Sequence, residues 1–284
     1  MVPRGAAGFP PGSPSAKLCN ALDFLLECIG FSPDVDQDEL IARARREGEP
    51  VAWRGNPEDH LRLDLGEGLE LRADRDPGEG FWTLLPHYSV SQRLRLSTES
   101  CERVPDSPFD ALLVGWAAPP LPGDEKRYGG SPGAYRLSTW LTDARRVPPK
   151  LLPGHVLAVS IAGFALDVTY TGPNAGVSHP SILERPRGAW VAPVGGAESP
   201  GGCSDVSLRV ISIQHMRNAI SGEMVDLCLC DAPERPLSLF LSPWQLRRDG
   251  LPSPRPGWRI EGTFLFTGRV AGGLARARRS RSFG

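Results

Sequence analysis

The run Leu61-Arg62-Leu63-Asp64-Leu65-Gly66-Glu67-Gly68-Leu69-Glu70-Leu71-Arg72 sets the fold class. Leucine recurs at every second position on both sides of Gly-Glu-Gly, with charged residues between, which is the period of a strand and not of a helix. The glycines supply the turn, so the stretch predicts an antiparallel hairpin with one apolar and one charged face. Residues 81–85 and 93–96 extend that sheet. Asp64, Glu67 and Glu70 crowd together as an acid/base pair would, but Arg62 and Arg72 interleave with them. The pattern reads as a solvated charged face.

Two helices precede the hairpin. Leu18, Leu22, Leu25, Leu26 and Ile29 recur at helical spacing, and Gly30 stops the run. A second helix is expected over residues 36–47, where Asp36 and Glu39 have the spacing of a capping box. Asp34-x-Asp36-x-Asp38 also opens like a calcium loop. It fails because Glu39 stands where that loop needs glycine, and Arg45 where it needs a bidentate glutamate.

Downstream, Val104-Pro105-Asp106-Ser107-Pro108 reads as a boundary. Beyond it come strand-like runs near 110–117, 135–142, 155–168, 206–214, 224–230, 237–241 and 258–270, with no long helix. The expected organisation is a tail at 1–15, an α+β unit at 16–105 with two helices on a small antiparallel sheet, and a mostly-β remainder. The remainder divides into a first β-unit at 106–170, a Gly/Pro-rich linker or lid carrying Trp190 at 171–205, a second β-unit at 206–271 and an arginine-rich tail at 272–284.

The order within 223–270 carries a resemblance. An alternating strand ends in an acid (Val225 to Asp231), a second follows a short turn (Leu237 to Leu241), and Pro256-Gly257 opens a long strand through Gly262 to Phe266. This resembles the central strands of an OB-fold barrel, in which a glycine lets the closing strand bend. Upstream, Trp140 precedes Pro153-Gly154 much as Trp244 precedes Pro256-Gly257, so the first β-unit reads as a related, tandem module. OB-fold modules often bind single strands through exposed aromatics and arginines. The resemblance therefore implies a binding surface of Phe240, Trp244, Arg247, Arg248, Arg255 and Trp258. A barrel core accounts for Trp244 and Trp258 as well.

Composition excludes more than it assigns. Glycine (32) and proline (29) make up about a fifth of the 284 residues, well above the roughly 12% usual in globular chains, which excludes a helical bundle. No apolar run is long enough to span a membrane and residues 1–17 lack the apolar core of an export signal, so a soluble cytoplasmic protein with no membrane partner is expected. Lysine occurs only at Lys17, Lys126 and Lys150, an arginine bias of the kind a GC-rich genome leaves. Arg276, Arg278, Arg279 and Arg281 sit at the end, so the body that precedes them is mildly acidic and does not attract a phosphate backbone at long range.

The six cysteines are expected to be reduced, and Cys228-Leu229-Cys230 to place two small side chains on one sheet face. Gly129-Gly130-Ser131-Pro132-Gly133 matches a nucleophile elbow in letters only, since Pro132 has no N–H to complete an oxyanion hole. No phosphate loop, dinucleotide fingerprint or zinc helix is present. His87, His155, His179 and His215 are scattered. The sequence thus favours a non-catalytic binding or protein-interaction module with no cofactor. The alternatives are a single-stranded nucleic-acid binder, or an enzyme whose site is not legible in one sequence.

Overall fold

The computed structural model describes residues 24–51, 58–76, 78, 80–89, 92–104, 107, 109–147, 151–171, 189–194 and 201–271. Both tails, the first helix at Leu18 and Leu22, His179 and most of the 171–205 connection lie outside them.

A helical segment at 24–28 leads to α1 (Gln37–Glu47). The expected cap is present: the Asp36 carboxylate accepts from the N–H groups of Asp38 and Glu39 at 2.9 and 3.3 Å. A four-stranded antiparallel sheet follows in the order β1 (Glu49–Pro50), β2 (His60–Gly66), β3 (Leu69–Arg75), β4 (Trp82–Tyr88). The predicted hairpin is β2–β3, with Leu63 opposite Leu71 and both buried.

The next strand does not join that sheet. β5 (Leu94–Arg103) pairs instead with β6 (Ala111–Ala117) and with β8 (Val156–Thr171), so the boundary expected at 105/106 falls between two paired strands. Alternation shows that residues 93–96 form a strand with an apolar face, but it does not choose the neighbour. The second sheet has nine strands and also contains β7 (Tyr135–Leu141), β9 (Trp190–Pro193), β10 (Cys203–Arg217), β11 (Met224–Asp231), β12 (Leu237–Leu241) and β13 (Arg259–Val270). A short 3-10 turn (Ala144–Arg146) follows β7, and α2 (Pro243–Arg248) follows β12. Among the described residues the chain is mostly β, with few helices and two sheets.

Pairing in the large sheet closes on itself twice. One cycle runs β5–β6–β7–β13–β8 and back to β5, with β7–β13 parallel and every other pair antiparallel. The other runs β10–β11–β12–β8–β13 and back to β10, with β12–β8 the parallel pair. The antiparallel pair β8–β13 belongs to both. Strands β5–β8 and β10–β13 therefore stand in the same order, and the last strand of each set completes the cycle of the other.

Local details repeat as well. Each leading strand has a bulge, at Thr98/Ser100 in β5 and Val210/Ser212 in β10, which lets it turn from one partner to the next. Just before each bulge the backbone clips a Pro-Gly turn. Gly154 N–H donates to Thr98 C=O at 2.7 Å and Thr98 N–H to His155 C=O at 2.7 Å; Gly257 donates to Val210 at 2.8 Å and Val210 to Trp258 at 2.7 Å. The correspondence corrects one sequence match. The parallel pairings put Trp140 beside Thr267 and Phe240 beside Phe164, so the counterpart of Trp140 is Phe240, while Trp244 lies beyond on α2.

The N-terminal sheet docks on the first cycle through buried charge, which overturns the solvated reading of Arg72 and Glu70. Arg72 is 3% exposed. It donates to both carboxylate oxygens of Asp110, at 3.1 and 2.9 Å, and to Thr142 C=O at 3.3 Å, while its Nε faces Asp74. Burial pulls the guanidinium pKa down, but the charges of Asp110 and Asp74 outweigh it and the net shift is upward. Arg269 of β13 holds Glu70 at 2.8 Å. Asp64 and Glu67 are exposed, as expected. No helix among the described residues is long and apolar enough to cross a membrane.

Two substitutions test this architecture. Gly262 has φ +151°, and a Cβ there would run into the carbonyl of Asp167 on the paired strand, so Gly262→Val is expected to cost about 2 to 4 kcal/mol in urea denaturation. Arg72→Ala takes the counter-charge from buried Asp110 and partly buried Asp74 and is expected to cost about 3 to 5 kcal/mol, whereas Arg72→Met with Asp110→Leu recovers most of the loss. Equal losses in the single and double variants would show that the charges are not coupled.

Candidate functional site

Among the described residues, a cleft of about 320 Å³ lies between residues 30–36, α1, the β10–β11 loop and α2. Each wall has a local cause. Gly30, at φ +89°, ends the 24–28 helical segment. Asn218 shapes the opposite wall. Its side-chain amide donates to Ile29 C=O at 2.7 Å and its oxygen accepts from Ile220 N–H at 2.8 Å and Ser221 N–H at 3.1 Å, so one buried residue both folds the loop and ties it to the N-terminal segment.

Ser242 does similar work at α2. It accepts from Gln245 N–H at 3.0 Å as the helix cap, with Pro243 in the first turn, and donates to the buried Glu27 carboxylate at 2.7 Å. This places Trp244 half-buried at the cleft with the Arg247 guanidinium 5.4 Å from its ring centre. The lining is apolar at Phe31, Val35, Leu40, Ile220 and Trp244, and acidic at Asp34, Asp36, Glu39 and Glu223.

The six residues expected to form a binding surface are not one surface of equals. Phe240 is fully buried, which corrects its expected role as an exposed base-stacking ring. Alternation rightly puts it on the opposite side of β12 from Leu239 and Leu241, but the N-terminal sheet covers that side: Tyr88 of β4 meets its ring edge-on at 5.1 Å, and Phe164 stacks on it at 5.1 Å. Trp244 lines the cleft, and Arg247 is exposed beside it, outside the lining. Arg248 is exposed, with its guanidinium 5.5 Å from the Phe24 ring. Arg255 and Trp258 belong to the turn before β13, where Arg255 lies 5.9 Å over the half-buried Trp258 and Trp258 tilts against Tyr170 at 6.2 Å.

Other chemistry is dispersed. Cys228 and Cys230 are buried on β11, and burial with the nearby Asp226 charge pushes the Cys228 thiol up to about 12, so it remains protonated at neutral pH. No group of three metal-ligating side chains occurs among the described residues. His215 pairs with Asp226 at 2.7 Å on the surface, and His87 is buried 3.4 Å from the Thr267 hydroxyl, far from one another in sequence and in role. A hollow of about 500 Å³ beside β1 has a lining that stops at Pro50 and resumes at Glu58, on either side of residues outside the described set. Its Arg75 already faces Asp59 at 3.5 Å.

Sequence reading reached Trp244 and Arg247 but not Asn218, Ile220, Phe31 or Val35. Ser242-Pro243 was the available signal for α2, since serine and proline in that order open helices. The wall residues carry no such signal, because they meet only when the N-terminal segment folds back on the β10–β11 loop.

Phe240 and Trp244 should part company on truncation. Phe240→Ala is expected to cost about 3 to 5 kcal/mol of stability, as for other buried aromatics, while Trp244→Ala at the half-open cleft costs about 1 kcal/mol. Urea melts of the two variants check this, and a small loss at Phe240 would return its ring to the solvent. No family model matches the chain, and neither the curated proteins nor the solved structures contain a match to it.

Proposed function

We propose that this chain is a non-catalytic protein-interaction module carried on two OB-like barrels that share the β8–β13 pair, and that the cleft at Trp244 is its docking site. In such barrels the loop between the first two strands is a common ligand-binding position. One observation carries the reading. In the first cycle that loop, between β5 and β6, already holds a protein element: Asp110 receives Arg72, and Phe109 takes the edge of His60 at 4.1 Å. In the second cycle the corresponding β10–β11 loop is gripped on one side through Asn218 and Ile29, and the cleft opens beside it. A hollow of this size with an apolar floor and a polar rim suits a few anchoring side chains.

Single-strand binding has less to rest on, because Phe240 is buried and the cleft is rimmed by carboxylates. Peptide display on the full chain, with counter-selection on Ile220→Glu, tests the reading. Peptides that bind the parent chain and lose about tenfold or more on the variant support it. Selection of no such peptide, together with retardation of single-stranded oligonucleotides that weakens steeply with salt, overturns it in favour of nucleic acid.

A further inference from the structure

We infer that the segment taken by this cleft is a basic peptide with an apolar anchor, an inference that rests on the docking reading above. Carboxylates stand on both walls: Asp34, Asp36 and Glu39 on the N-terminal side, Glu223 across from them on the β10–β11 loop. Acids at the start of α1 also serve that helix, where Asp36 caps it and Glu39 lies in its first turn. Helix stabilisation does not account for Asp34, which precedes the cap, or for Glu223, which belongs to another element. The one arginine in the lining, Arg43, is held by Glu47 at 2.8 Å, and although Arg247 lies over the Trp244 ring just outside it, the carboxylates still outnumber the guanidinium groups around the cleft.

The rim therefore presents a net negative field around an apolar floor, in which Trp244 is half-exposed. Such a field draws in lysine and arginine and repels acidic segments and phosphate chains alike. The anchor enters between the acidic walls, and flanking bases meet the carboxylates at the solvent edge, where they set selectivity and association rate more than affinity.

The test uses the full chain and two fluorescent nonapeptides with the same central Leu-Phe pair, one flanked by lysine and arginine and the other by glutamate. Anisotropy is expected to show the basic peptide binding about tenfold or more tightly, with an advantage that shrinks as salt rises. Asp34→Asn with Glu223→Gln should remove most of that advantage, and Trp244→Ala should weaken both peptides; near-UV circular dichroism confirms that each variant is folded. Equal binding of the two peptides overturns the charge inference while leaving the docking reading intact. Failure of both peptides, or indifference to Trp244→Ala, overturns the two together. If the basic peptide binds only after residues 272–284 are deleted, the arginine-rich end of the chain itself is the occupant and a partner segment is not.

Discussion

The antiparallel pair β8–β13 is the constraint on which the rest depends. Both cycles use it, and each four-strand set leaves its own cycle open without the last strand of the other. An open cycle exposes rows of unpaired N–H and C=O groups, so neither set is complete alone and the two must form together. Two strands that serve two cycles must bend between their partners. Gly163 stands between two of them, where a Cβ would sit 2.8 Å from the Leu239 side chain on β12 and 2.9 Å from the Phe266 ring on β13. Gly262 permits the bend before the register shift at Thr263/Phe264. Both glycines stand near β-branched and aromatic neighbours, Ile161 and Phe164 in β8 and Ile260, Thr263 and Phe264 in β13, where a side chain would normally be preferred.

Much of the fold was legible because strand period, caps and turns are local. Leucine alternation located β2 and β3, the Asp36 cap marked the start of α1, and the two Pro-Gly turns each precede a long strand of the larger sheet. What failed was not local. The period of two says which side chains share a face; it does not say what lies against that face. Phe240 and Arg72 show this in opposite chemistries. An aromatic ring on the outer side of β12 looks like a binding surface until Tyr88 covers it. An arginine on the polar side of β3 looks solvated until Asp110 arrives from a loop 38 residues away in sequence. The candidate site was half legible for the same reason. Trp244 and Arg247 stand in one short helix, whereas the walls facing them come from residues 30–36 and 218–223.

At these two loops the contacts of the N-terminal unit differ in kind, and that difference explains why one loop is closed and the other leaves room. At the β5–β6 loop the contact is a desolvated ion cluster. Buried charges tolerate little displacement, because any gap leaves a carboxylate or guanidinium unpaired in a medium that penalises it. Such a contact adds orientation more than stability. At the β10–β11 loop the ties run through backbone groups: the Asn218 amide donates to Ile29 C=O, Ala219 N–H to Leu65 C=O and Arg217 N–H to the exposed Glu67 carboxylate, with Glu27 and Ser242 deeper in. The chain beyond Gly30 then turns away, and the apolar side chains of Phe31, Val35 and Ile220 border a hollow rather than closing on one another. A surface held together by backbone bonds and edged by unshared apolar groups can accept a new segment without first breaking an ion pair. The asymmetry between two otherwise matching loops is thus a consequence of where the N-terminal unit spends its charged residues.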